Sequence, residues 1–177
     1  FVEPCWGTNL AGKNFQISIS ADTNYNIVLL SGGKISGKIV NENGTGVGRA
    51  NIDVWMGSGK GWGNTISKSD GTFFLKGLTP STDESKYNLA IWSNQYAPYN
   101  LDGLQVTEGR ETDVGVLTMG NGFSLTGNIT KGGHAVTNTT YVDVWCEQGS
   151  GLGHVIATDG TYSIGGLPAC NYSMHVY

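Results

Sequence analysis

The sequence predicts an all-β chain organised as a tandem repeat. Three observations carry this. First, one motif occurs twice: Asn51-Ile-Asp-Val-Trp55 followed by Ser69-Asp-Gly-Thr-Phe-Phe-Leu-Lys-Gly-Leu78, and Tyr141-Val-Asp-Val-Trp145 followed by Thr158-Asp-Gly-Thr-Tyr-Ser-Ile-Gly-Gly-Leu167. Asp53 maps to Asp143 at an offset of 90 and Asp70 to Asp159 at 89, the near-constant spacing that tandem domains produce. Second, 28 of 177 residues are glycine and only 14% are charged, while Val, Ile, Thr, Tyr and Trp are plentiful. That is the composition of short strands joined by tight turns, and it is too apolar for disorder. Third, apolar residues recur with period two, as in Phe15, Ile17 and Ile19.

The bulk properties exclude several classes. The net charge of −4 and the lack of a Lys/Arg cluster argue against nucleic acid. No apolar run reaches the roughly 18–20 residues that a membrane-spanning helix needs. The chain opens at Phe1 rather than Met and reads as a mature or excised portion. Each repeat has about 90 residues, enough for a modest core. Cys5, Cys146 and Cys170 show no CxxC spacing, so neither a zinc knuckle nor any other metal or cofactor is expected.

Taken in order, residues 14–20 and 25–30 read as two strands with a turn at Ala21-Asp-Thr-Asn24. Residues 33–120 form the complete repeat. It has a strand at 34–40, an Asn-Gly turn near Asn43-Gly44, a strand at 50–56 and a glycine-rich loop at 57–63. Residues 64–75 read as a hairpin turning at Asp70-Gly71. Pro80 to Lys86 has room for one helical turn. Strands are then expected at 87–92, 104–106 and 111–117. Residues 121–177 begin the same programme, with Gly127 equivalent to Gly37, and stop at the counterpart of 87–92.

The last two strands of that second repeat are absent from its end and recur at the front of the chain. Residues 14–30 look like 104–117, and Asn9-Leu-Ala-Gly12 looks like Asn100-Leu-Asp-Gly103. This divides the chain into a segment at 1–32 that supplies closing strands, a complete repeat at 33–120 and an incomplete one at 121–177. Phe15, Ile17, Ile19, Ile27 and Leu29 would be the complementing side chains. The acceptor is residues 121–177 of the same chain, of a neighbouring chain, or of the preceding period in a longer array. An unpaired strand edge invites such addition.

The order of signals resembles the carboxypeptidase regulatory-like domains and the related collagen-adhesin B-type, prealbumin-like sandwiches. It is carried by Gly37, Ala50 to Trp55, Ser69 to Leu78 and Tyr87 to Ile91, and again by Gly127, Tyr141 to Trp145, Thr158 to Leu167 and Tyr172 to Val176. The resemblance implies tandem Greek-key, seven-stranded, Ig-like sandwiches, one complete and one split between the chain ends. It implies a spacer, stalk or accessory module on secreted or surface proteins, and no catalysis. In the prealbumin-like order the strands that carry Cys146 and Cys170 are antiparallel neighbours, which implies a Cys146–Cys170 disulfide; Cys5 is the alternative partner for either. A disulfide implies an oxidising, extracellular setting. Some relatives form a Lys–Asn isopeptide bond. Lys38 sits near the lysine position, but its counterpart is Asn128 and the strand at 113–117 has no Asn, so Lys38 reads as a solvated lysine.

Catalytic chemistry finds little support. His134, His154 and His175 lie apart in sequence, without metal-ligand spacing. Gly57-Ser-Gly-Lys-Gly-Trp-Gly63 lacks the spacing of a phosphate loop. Asp53 and Trp55, and likewise Asp143 and Trp145, alternate with core positions and should face outward, forming either a packing face or a carbohydrate platform. Asn43, Asn128, Asn138 and Asn171 stand in N-x-S/T sequons, with Asn43 and Asn138 in turns. The functional expectation is a non-enzymatic structural subunit of an extracellular fibre, pilus-like filament or stalk, with copies of itself as partners and covalent glycans as additions. A carbohydrate-binding module is the alternative.

Overall fold

The computed structural model describes residues 8–13, 15–57, 59–147 and 152–177. The described residues are all-β, in strands, turns and irregular segments, and none of their elements is a helix long and apolar enough to cross a membrane. Two compact units emerge. Unit 1 comprises residues 1–40, 46–91 and 100–117; unit 2 comprises 41–45, 92–99 and 118–177.

The first sandwich contains β1 (Gly33–Asn41), β2 (Asn51–Met56), β3 (Trp62–Ile66), β4 (Thr72–Leu78), β5 (Tyr87–Trp92), β6 (Tyr99–Leu104) and β7 (Glu111–Met119). One sheet runs β4–β1–β7 and the other β3–β2–β5–β6. Period-two alternation sorts the side chains: Ile52, Val54 and Met56 of β2 are buried while Asn51 and Trp55 are exposed. Ile35, Ile39, Ile52, Val54, Leu89 and Ile91 are fully buried. Each contributes about 1.5–3 kcal/mol of apolar transfer.

The structure corrects the expected hairpin at 64–75. β3 pairs with β2 and β4 pairs with β1, so the chain crosses between sheets at Asp70-Gly71. The turn itself is local. Asp70 accepts from the backbone N–H and hydroxyl of Thr72 at 3.0 and 2.7 Å, and Gly71 takes φ +84°. An Asp-Gly turn thus serves an arch as well as a hairpin. Two further expectations shift. Residues 80–86 form a Thr82–Ser85 bridge rather than a helical turn, and the strand placed at 104–106 lies earlier, at Tyr99–Leu104.

The second sandwich contains β8 (Phe123–Asn128), β9 (Thr130–Lys131), β10 (His134–Ala135), β11 (Thr140–Cys146), β12 (Leu152–Ala157), β13 (Thr161–Leu167) and β14 (Tyr172–Val176). β9 and β10 form a small hairpin. The larger sheets run β13–β8 and β12–β11–β14. Compared with the first sandwich, β8 lacks the neighbour that β7 gives β1. β14 lacks the neighbour that β6 gives β5. Both statements hold among the described residues.

The leading segment departs from expectation. Residues 15–30 form no strand, and Ile17, Ile19, Ile27, Val28 and Leu30 are exposed, although Phe15 stacks on Tyr25 at 5.2 Å. In unit 1 the equivalent places beside β5 and β1 are already taken by β6 and β7. The neck of the segment is tied by backbone bonds. Leu10 bridges Ser31, the Gly32 N–H donates to Asn9 O at 2.7 Å, and the Ala11 N–H donates to Leu30 O at 2.9 Å.

The same neck recurs in unit 2. Tyr96 bridges Asn121, the Gly122 N–H donates to Gln95 O at 3.4 Å, and the Ala97 N–H donates to Gly120 O at 3.0 Å. Asn9 is therefore the counterpart of Gln95, which corrects the alignment of Asn9 with Asn100. Behind this neck Gly166 has φ +73°, and a Cβ there would overlap the carbonyls of Ser93 and Tyr96.

Candidate functional site

The open edges of unit 2 leave core-type side chains uncovered. Leu89 and Ile91 point inward from β5 and are 0% exposed. Their counterparts on β14, Met174 and Val176, are 42% and 43% exposed. Phe123, at the start of β8, is also exposed. The remaining core of this sandwich is small: Val142, Val144, Ile164 and Leu167, with Leu125, Ile129, Val155, Tyr162 and Tyr172 packed against it. In unit 1, residues of the β6–β7 region, Val106 and Leu117, are buried. Among the described residues the second sandwich has no strand in the places of β6 and β7.

Two structures hold β14 to β11. Cys146 and Cys170 form a disulfide with Cα atoms 5.8 Å apart, and Cys146 stands opposite Tyr172 in register. Cys5 lies outside the described residues. At the other end Tyr141 and Tyr177 exchange backbone hydrogen bonds of 2.8 and 3.1 Å. Their rings belong to a run of stacked rings, from His154 to Tyr141 at 6.1 Å, to Tyr177 at 5.4 Å and to His175 at 4.8 Å.

Asp143 sits in the middle of that face. It is opposite His154 on β12 and opposite His175 on β14. His154 Nδ1 hydrogen-bonds its carboxylate. That bond, a hydrogen bond from Tyr177 and the nearby imidazoles hold its carboxyl below the usual carboxylate range. Reciprocally, Asp143 pushes the Tyr177 phenol up. Histidines far apart in sequence thus meet across three strands. Among the described residues, no group of three His, Cys, Asp or Glu is placed to hold a metal ion.

The other singled-out residues fall as follows. Trp55 and Trp145 are exposed, and Asp53 and Asp143 are half-buried, on the outward faces of β2 and β11. Trp55 stands opposite Trp62 in register, an exposed pair that the sequence reading missed. Asn43, Asn128, Asn138 and Asn171 are all exposed. Lys38 is exposed and lines a shallow cleft with Asp113. The Asp159 carboxylate repeats the role of Asp70, accepting from Thr161 N–H and hydroxyl at 2.8 and 2.7 Å.

This fold and these edges define a class of β-sandwich module. Residues 34–120 match the model of the carboxypeptidase regulatory-like domain, so the first sandwich is a domain of that family. No curated protein matches the sequence. Among solved structures, the Bacillus anthracis TIE protein is similar at 14% identity and TM-score 0.39, covering 82% of this chain and 31% of that one. A Streptococcal ancillary pilin is similar at 10% identity and TM-score 0.35, covering 86% and 56%. A hydroxyquinol 1,2-dioxygenase from Pseudomonas putida is similar at 12% and 0.40, covering 66% and 68%. Likenesses this distant say nothing about function.

Proposed function

We propose that the chain is a structural segment of an extracellular fibre, pilus-like filament or surface stalk, joined head to tail by β-strand complementation or carried as periods of a longer tandem array. The leading segment is the donor, through Phe15, Ile17, Ile19, Ile27 and Leu29. The edges of β8 and β14 in residues 121–177 of a neighbouring copy are the acceptor. The observation that carries this reading is the exposure of Met174 and Val176 where Leu89 and Ile91 are fully buried. The recurrent neck supports it. On that alignment residues 12–29 correspond to 98–119, the stretch that contains β6 and β7. A non-closing contact of this kind propagates. The disulfide fits an oxidising, extracellular compartment, and the four exposed sequons are available to a glycosylating host.

Sedimentation velocity across a concentration series, with electron microscopy of the same samples, tests the proposal. Polymers should grow with concentration and vanish on Ile17→Asp with Ile27→Asp. A wild-type chain that stays monomeric at every concentration, with β14 amides protected on both edges, overturns it.

A second reading is favoured by the exposed Trp55–Trp62 pair beside Asp53: carbohydrate binding on the outward faces, with Trp145 and Asp143 in the second repeat. Polysaccharide pull-down separates the two, since Trp55→Ala with Trp145→Ala abolishes binding only under this second reading.

A further inference from the structure

The second sandwich carries two fastenings that the first does not. β5 has a strand on each side, and residues 33–120 contain no cysteine and no histidine. β14 has one neighbour among the described residues and only five residues of strand. An edge strand this short, with Met174 and Val176 over 40% exposed, has little to hold it extended.

Both ends of β14 are nevertheless tied. At its start lie the Cys146–Cys170 disulfide and the Glu147 N–H donating to Asn171 O at 3.1 Å. Ser173 Oγ adds a bond to Glu147 at 2.9 Å, and Tyr172 OH reaches Pro168 O at 3.0 Å. At its end lie the ring stack and the Asp143 bond to His154. The corresponding positions in the first repeat are Met56 for Cys146, Asn51 for Tyr141, Asn64 for His154 and Ala90 for His175. The fold itself therefore requires neither fastening; they accompany the missing neighbour.

We propose that the Cys146–Cys170 disulfide and the ring stack around Asp143 hold β14 as a preformed acceptor edge for an extended strand of a second copy, and that reducing the disulfide suppresses capture. This rests on the strand-complementation reading above. A preformed edge binds more tightly because the ordering of β14 does not have to be supplied at the moment of docking. The redox step is a two-electron exchange. A thiolate of an external dithiol attacks one sulfur, the S–S bond breaks, and Cys146 and Cys170 leave as thiols while the dithiol closes to its own disulfide.

The test uses the full chain with Cys5→Ser, and with Ile17→Asp and Ile27→Asp to disable its own donor. The probe is a fluorescent synthetic peptide of residues 13–32. Anisotropy gives Kd for the oxidised chain, the chain reduced with dithiothreitol, and a His154→Ala/Tyr177→Leu variant that keeps the disulfide. Hydrogen exchange across residues 172–177 is followed in parallel. The oxidised chain should bind. Reduction should weaken binding at least tenfold and re-oxidation should restore it, and the ring variant should weaken it several-fold with faster exchange in β14. Equal Kd in oxidised and reduced chains overturns the inference, whether or not reduction loosens the unit. A ring variant that exchanges faster yet binds unchanged removes the ring stack from it. An oxidised chain that binds no peptide sinks the complementation reading itself.

Discussion

Truncating equivalent inward residues of β5 and β14 should cost very different amounts. Leu89 is completely buried, so Leu89→Ala loses its transfer energy and leaves a cavity, about 3 kcal/mol in all. Met174 keeps 42% of its surface in water. Its open side lets solvent fill the space, so Met174→Ala loses only a fraction of a buried side chain's transfer energy and no cavity cost, about 1 kcal/mol. Urea denaturation of dilute protein, with hydrogen exchange and mass spectrometry to read the two units separately, gives both values. The contrast should shrink in assembled material, where a docked strand covers Met174 and the cost of Met174→Ala should rise toward that of Leu89→Ala. Equal costs in dilute, monodisperse protein would show that the β14 face is already covered, and the argument from open edges would fail.

Three other outcomes follow from the same structure. The cysteines are 24 residues apart, so Cys146→Ser with Cys170→Ser should remove about 3 kcal/mol of loop-closure stabilisation from unit 2 and leave unit 1 unchanged, as domain-resolved urea melts would show. Burial pushes the Tyr87 phenol up to about 12 from 10.0, with its hydroxyl donating to Thr79 O at 2.9 Å. The unfolded chain then ionises first. The stability from this group is intact below pH 10 and is lost as pH rises from 10 through 12, by at most about 2.7 kcal/mol. Tyr87→Phe should flatten that alkaline loss in unit 1. Asp143 should titrate below the ordinary carboxylate range in a carbon-detected NMR titration and move back up in His154→Ala, because the His154 hydrogen bond is the largest cause of its shift.

The parts legible in the sequence are those set by local pattern. The repeated Ile-Asp-Val-Trp and Val-Asp-Val-Trp strands, the Asn-Gly turn and the alternation of buried and exposed residues all survive in the fold, because side-chain period and turn chemistry act over a few residues. What was misread depends on which strands meet. Asp70-Gly71 has the same chemistry in a hairpin and in an arch, and only the pairing of β4 with β1 tells them apart. The alternation of Phe15, Ile17 and Ile19 marks residues able to form a strand, but a strand also needs an edge, and unit 1 has filled the corresponding places with β6 and β7. The group around Asp143 was invisible for the same reason: His154 and His175 are 11 and 32 residues away along the chain, yet one strand away in space.

One signal could have revealed that group. The repeat maps Asn64 onto His154 as it maps Asp53 onto Asp143, so an Asp–Asn cross-strand pair in one sandwich implies an Asp–His pair in the other. Followed further, the same mapping separates what the fold needs from what the second sandwich adds. Inward positions keep their chemistry, with Val54 and Val144 both fully buried. The outward positions of β11, β12 and β14 change from Asn51, Asn64 and Ala90 to Tyr141, His154 and His175, and Met56 gives way to Cys146. Substitutions that maintained the core would fall on the inward face. These fall on the outward face and at the strand ends, where they tie β14 to β11, so their effect is on a strand whose outer edge is open among the described residues.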